Sequence, residues 1–302
     1  MDCGYVLISI LLCFSYYVTL VRSVDADNLQ TNEKNDTHFK PLPFKFAKSQ
    51  DGSNIISHYA MWHTQPGNFY GLRAEISIWG YPDINYSQES GASIQIYCQD
   101  GGHFNLIEAG FHVSPSLYHN RDVRFFTYWT NDSKLPGCYN FQCPGFVSAS
   151  GALLVPGQAV APPSSYGQYD HYVRLSLNKD PNSGDWVVYR HDLGTPQFLG
   201  YFPVKLCPTM PLIQALTGFV NYFNTTNGPP MGSGHFPDEN DRKYAYFKHI
   251  KKYHSNGHPY DPIVATMVPF NDRRDCYKVT DFQPDIGKGY VFHYGGPGGC
   301  IG

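Results

Sequence analysis

The sequence predicts an all-β protein, an antiparallel β-sandwich of two packed sheets, on three observations. Short segments alternate apolar and polar residues. Aromatic residues make up 16% of the chain, with 24 Tyr and 20 Phe against 4 Trp. Glycine (29) and proline (23) are frequent and fall between the alternating segments. Aromatic and β-branched side chains fit a pleated surface, whereas Gly and Pro supply turns. Residues 72–79 read as a strand because Leu72, Ala74, Ile76 and Ile78 alternate with Arg73, Glu75 and Ser77. Residues 92–98 do the same through Ala92, Ile94, Ile96 and Cys98. Residues 106–113, 123–129, 172–177 and 186–191 follow on period-two placement or aromatic enrichment, bounded by Gly, Asn, Asp or Pro. Only residues 210–219 look helical. Many strands at short spacing with turn chemistry between them point to a sandwich. No internal repeat or low-complexity tract interrupts the pattern.

The first residues bear on compartment. Residues 5–20 form an apolar run, small residues follow at Ser23 and Ala26, and polar sequence begins at Asp27. Residues 1–26 therefore read as a signal peptide, cleaved between Ser23 and Ala26, although Asp2 stands where a positive charge is usual. Residues 27–50 read as a flexible polar arm, and residues 51–302 as one folded domain. The protein is expected to be secreted, with no membrane association after cleavage. Cys3 and Cys13 leave with the signal. The remaining six cysteines (Cys98, Cys138, Cys143, Cys207, Cys276, Cys300) form an even set without a CxxC pair, which favours disulfides over zinc. Their connectivity stays open, although Cys138 and Cys143 are close enough for a local loop. N-x-S/T sequons at Asn35, Asn85, Asn131 and Asn224 predict a glycosylated surface.

Net charge is −3 with no basic block, which leaves nucleic acid without an electrostatic footprint. His254 and His258 have helical spacing, but Gly257 separates them and no Glu follows His254. Gly287-Lys288-Gly289 lacks the rest of a phosphate loop. Neither a metal nor an organic cofactor is expected.

From Leu106 onward a set of blocks becomes recognisable. They are Ile107-Glu108-Ala109-Gly110-Phe111 with Val113 and Pro115, then Arg124-Phe125-Phe126-Thr127-Tyr128-Trp129. Next come Gly137-Cys138-Tyr139-Asn140, Cys143-Pro144-Gly145-Phe146 and Gly200-Tyr201-Phe202-Pro203. Last are Met231-Gly232-Ser233-Gly234-His235-Phe236 and Tyr294-Gly295-Gly296-Pro297-Gly298-Gly299-Cys300. In this order, over residues 59–300, the blocks resemble the neprosin family of plant glutamic peptidases. The resemblance implies two packed antiparallel sheets, similar in architecture to lectins and fungal glutamic peptidases. It implies cleavage of peptides at acid pH with a preference for proline, by two glutamates facing each other, with no metal or cofactor. It also implies pairing of Cys138 with Cys143 and of Cys276 with Cys300. Cys98 and Cys207 are left as a third bridge or as free thiols. A plant family places the secreted protein in the apoplast or cell wall.

Glu108 matches the first catalytic glutamate. Alternation puts it on one face with Leu106 and His112, opposite Ile107, Ala109, Phe111 and Val113. The family's second glutamate sits in a Trp-Gly-Gly-Glu-Val block, and the matching stretch here, Leu216-Thr217-Gly218-Phe219-Val220, carries Phe219 in its place. No Asp or Glu occurs between Asp192 and Asp238. Phenylalanine can neither donate a proton nor accept one, and losing such a group costs on the order of 10² to 10⁴ in rate. The expectation is a pseudoenzyme that keeps the family's fold and cleft and binds peptides, proline-rich ones included. The short arm agrees, since the family's proteases carry an activation peptide of roughly a hundred residues. Two other readings stand beside it. One is an active acid endopeptidase in which another carboxylate, such as Asp238 or Glu239, partners Glu108. The other is a sandwich that binds carbohydrate or cell-wall glycan through its aromatic residues.

Overall fold

The computed structural model describes residues 54–100, 103–131, 134–209, 211–238, 243–285 and 289–301, all within one compact unit spanning Pro43–Gly302. The predicted signal segment, the arm and Asn35 lie outside the described residues. Among the described residues, eighteen strands form two antiparallel sheets.

The first sheet contains β1 (Ile55–Thr64), β3 (Gln88–Asp100), β4 (His103–Val113), β5 (Arg124–Asn131), β6 (Lys134–Tyr139), β11 (Pro211–Phe223) and β15 (Met267–Asn271). Their order is β15-β1-β11-β3-β4-β5-β6. The second sheet has the order β12-β18-β13-β2-β8-β9-β10-β7, with β14 added to β13 and with β16 and β17 added to β18. Its members are β2 (Gly71–Ser77), β7 (Val147–Ser148), β8 (Tyr172–Lys179), β9 (Trp186–Arg190), β10 (Gln197–Phe202) and β12 (Met231–Gly232), followed by β13 (Tyr246–Tyr253), β14 (Pro259–Tyr260), β16 (Lys278–Val279), β17 (Gln283–Asp285) and β18 (Gly289–Gly296). The all-β sandwich expected from the sequence is the observed fold. The one α-helix among the described residues is the single turn α1 (Pro115–Tyr118).

Alternation within each strand sorts side chains into core and outer face. Ile94, Ile96, Ile107, Ala109 and Phe111 from the first sheet meet Leu72, Ala74, Ile76, Leu175 and Leu177 from the second. Each such aliphatic side chain taken fully out of water contributes about 1.5–3 kcal/mol. The expected helix over residues 210–219 is not formed: residues 211–219 belong to β11, a strand buried on both faces, and residue 210 lies outside the described residues. A central strand with no wet face loses its polar–apolar alternation, and here the buried polar residues Gln214, Thr217 and Asn221 recur at the three- and four-residue spacing of a helix.

Cys98 in β3 is bridged to Cys207, just past β10, with Cα atoms 5.6 Å apart. Cys138 is bridged to Cys143 and Cys276 to Cys300, at 6.0 and 5.9 Å. The first bridge closes a 109-residue separation and the second only 5. Loop-closure entropy then predicts that removing Cys98–Cys207 costs about 2.7 kcal/mol more than removing Cys138–Cys143. Urea unfolding of the two double-alanine variants checks this, and equal midpoints would contradict it.

Candidate active face

The outer face of the first sheet, turned away from the second, is built by four central strands in register. On β3 the residues pointing outward are Glu89, Gly91, Ser93, Gln95 and Tyr97. On β4, Gln95 faces Glu108, Ser93 faces Gly110 and Gly91 faces His112. On β11, Ser93 faces Thr217, Gly91 faces Phe219 and Glu89 faces Asn221. Tyr128 of β5 lies opposite Glu108, and Tyr139 of β6 opposite Tyr128. The neighbours of Glu108 along β4, Ile107 and Ala109, point into the core as alternation requires.

Glu108 is fully buried. Its Oε1 accepts hydrogen bonds from Ser93 Oγ and from Gln95 Nε2, the latter at 3.0 Å. Gln95 Oε1 in turn accepts from Tyr97 at 2.7 Å and Thr217 at 3.0 Å, which fixes the amide so that its NH2 faces Glu108. Glu108 Oε2 is buried and has no hydrogen-bond partner. Burial pushes the Glu108 pKa up to about 8, with Ser93 and Gln95 opposing and the Glu89 charge adding to the rise. A carboxyl group in this state is protonated at neutral and acid pH, so it can donate to a carbonyl or share its proton with a second carboxylate.

Phe219 is also fully buried. Its ring lies over Gly91: a Cβ on that glycine would come within 2.8 Å of the Phe219 ring. It meets Phe126 edge-on at 6.0 Å, and Phe126 stacks on His112 at 4.0 Å. Glu108 and Phe219 thus share a face but lie on strands separated by β3, with Phe219 two face positions further along. Asp238 is exposed in the chain after β12, and Glu239 lies outside the described residues.

A second carboxylate on this face was missed in the sequence. Glu89 is fully buried and contacts His112 Nδ1 through Oε1, while its Oε2 accepts from Asn221 Nδ2 at 2.9 Å. Tyr139 reaches it at 3.5 Å, and His112 Nε2 lies 2.8 Å from the Tyr118 hydroxyl. Glu89 is one of the charges that raise Glu108, and both carboxylates add to the upward shift that burial imposes on Tyr128. Extending the 92–98 alternation back through Gly91 would have placed Glu89 beside Ser93 and Gln95. The glycine hides that continuity.

The sequons at Asn85 and Asn224 are exposed, and Ser87 and Thr226, their hydroxyl residues, are 3.3 Å apart. Asn131 ends β5 and its side chain lies outside the described residues. His254 and His258 flank a turn, with His254 stacked on Tyr260 at 4.1 Å. Among the described residues, the one grouping with metal-type donors is Asp275 with Cys276 and Cys300, whose sulfurs are bridged and so are not thiolates.

A family model described as Neprosin matches residues 86–297. Among solved structures, the chain is similar to scytalido-glutamic peptidase bound to a peptide-based transition-state analogue. That match has 9% identity and a TM-score of 0.39, and covers 80% of this chain and 100% of the other. It is also similar to SCP-B, of the eqolisin family of peptidases, in complex with the tripeptide Ala-Ile-His. There the identity is 10% and the TM-score 0.39, over 80% of this chain and 98% of the other.

Proposed function

The chain belongs to the neprosin family, and from that premise we propose that it is a secreted peptide-binding protein in which Phe219 stands where the second catalytic glutamate belongs, leaving hydrolysis impaired. Residues 1–26 are removed as a signal peptide, and residues 27–50 form an arm before the domain. Disulfides suit an oxidising compartment, and the sequons at Asn35, Asn85, Asn131 and Asn224 carry glycans there. The observation that supports the reading is the neighbourhood of Glu108. Its Oε1 is held by two neutral donors, its Oε2 is buried without a hydrogen-bond partner, and the β11 side chain over Gly91 is a phenyl ring. A protonated carboxyl with one unsatisfied oxygen donates to a peptide carbonyl once the face opens to admit it. Activating water needs a second carboxylate within reach, and phenylalanine supplies none.

Glu89 favours a second reading, an acid endopeptidase in which β3 rather than β11 supplies the partner carboxylate. Glu89 shares the face and contacts His112 and Asn221, and its charge acts on Glu108. One experiment separates the two. A fluorogenic proline-containing peptide is titrated onto the wild type, Glu108→Gln and Glu89→Gln, with binding and turnover read together. Binding with turnover near background in all three supports the impaired reading. Turnover in the wild type that falls on the order of 10²-fold or more in both variants supports the second.

A further inference from the structure

The second sheet has its own outer face. Register places Phe198 of β10, Tyr189 of β9, Ser176 of β8, Arg73 of β2 and Lys251 of β13 directly opposite one another in succession. Five neighbouring strands at about 4.8 Å make this row about 19 Å long. At one end Phe198 is 39% exposed, with its ring 5.3 Å from Tyr189. At the other end is a depression of about 240 Å³ lined by Arg73, Arg174, His249 and Lys251.

A β-bulge shapes that end. Phe247 and Ile250 both face the core although two residues separate them, and the β13–β2 register shifts between Lys248 and Lys251. His249 adopts a left-handed conformation, φ 52°, so Lys248 and His249 project outward in succession. His249 is also a wall of a larger depression of about 350 Å³, in which Glu75, Asp170 and Asp285 meet Tyr172 and Tyr246. The cations differ in their commitments. Arg174 is paired with the buried Glu75, and Lys251 with Asp261 at 2.6 Å. Arg73 hydrogen-bonds the Tyr253 side chain, while its Nε is buried and has no hydrogen-bond partner. The positive potential registers on His191, whose pKa is pushed down to about 4 by burial first and by Arg73 and Arg174 next.

We propose that this face binds an acidic carbohydrate, with pyranose rings laid along Phe198 and Tyr189 and a ring carboxylate at Arg73. The site lies on a sheet face and presents only side-chain tips. Aromatic rings offer an apolar surface to the C–H face of a sugar, and a planar guanidinium takes a carboxylate in preference to a hydroxyl. The carboxylates and tyrosines of the larger depression, beyond the shared His249 wall, accept and donate to hydroxyls. The site is on the opposite side of the sandwich from Glu108, so it stands or falls apart from the peptide reading.

The test uses the whole secreted protein and isothermal titration calorimetry with a hexamer of galacturonic acid, its methyl ester and hexaglutamate. The acid hexamer is expected to bind, and the ester and hexaglutamate to bind more weakly by on the order of tenfold. Arg73→Gln should cost a similar factor. Phe198→Ala, which changes no charge at an exposed position, should weaken the hexamer severalfold while leaving peptide binding at Glu108 as it was. If Arg73→Gln fails to fold, the ester and Phe198→Ala decide. No binding of the hexamer, equal binding of hexaglutamate, or indifference to Phe198→Ala would each overturn the proposal, the last two by reducing it to charge attraction.

Discussion

If Phe219 stands where a catalytic glutamate belongs, as proposed, Phe219→Glu is expected to raise hydrolysis of a proline-containing peptide by on the order of 10² to 10⁴ between about pH 3 and 6, because it adds a proton-transferring group to the face that carries Glu108. Gly91 lets the Phe219 ring and His112 pack closely, and the new carboxylate would enter the region now filled by the Phe219 ring, close to the Asn221 amide and His112. Losing the edge-on contact with Phe126 and burying a carboxyl group both reduce stability, so thermal unfolding must accompany the assay. Two controls give the result its meaning. Phe219→Gln has similar shape but transfers no proton and should gain nothing. Phe219→Glu combined with Glu108→Gln should lose what the single substitution gained. A wild type that already turns over through Glu108, with no gain from Phe219→Glu, would show that β11 is not where the partner is missing, and Glu89 would take its place.

The second large effect is on stability. Glu108 titrates near 8 in the folded protein, against an ordinary value of 4.5, because burial penalises its charged form. Below about pH 4.5 the group is protonated whether the chain is folded or not, and its contribution is fully present. Between about 4.5 and 8 the folded state holds a proton that the unfolded chain has released, so stability falls as pH rises, and the loss is complete above about 8. At about 1.4 kcal/mol per pH unit, the ceiling of this loss is about 5 kcal/mol. Glu108→Gln keeps the shape and removes the titration. Urea unfolding at pH 4.5, 6 and 8 should therefore give a flatter profile for the variant, with the variant the more stable of the two at pH 8. Parallel profiles would mean that Glu108 is not held neutral by burial.

Much of this molecule is legible from local pattern. Strands with one dry and one wet or polar face announce themselves by period two, which is why β2, β4 and β8 are readable from Leu72, Ile107 or Leu175 and their alternating neighbours. The Glu108 position and the missing acid between Asp192 and Asp238 are equally local, being matters of order along the chain. Strand β11 is not, because both its faces are buried and its polar residues Gln214, Thr217 and Asn221 do not alternate with period two. Glu89 escapes for a related reason: a glycine breaks the pattern that would join it to Ser93 and Gln95.

Composition, turn chemistry and ordered motif blocks were enough to establish an all-β sandwich and its family, since each depends on neighbours within a few residues. Tertiary structure alone decided three things: that Glu108 is buried with one oxygen lacking a hydrogen-bond partner, that Glu89 shares its face through His112 and Asn221, and that Phe198 and Arg73 fall in one row. Each depends on register between strands far apart in sequence, where a shift of one residue would turn the side chain to the other face.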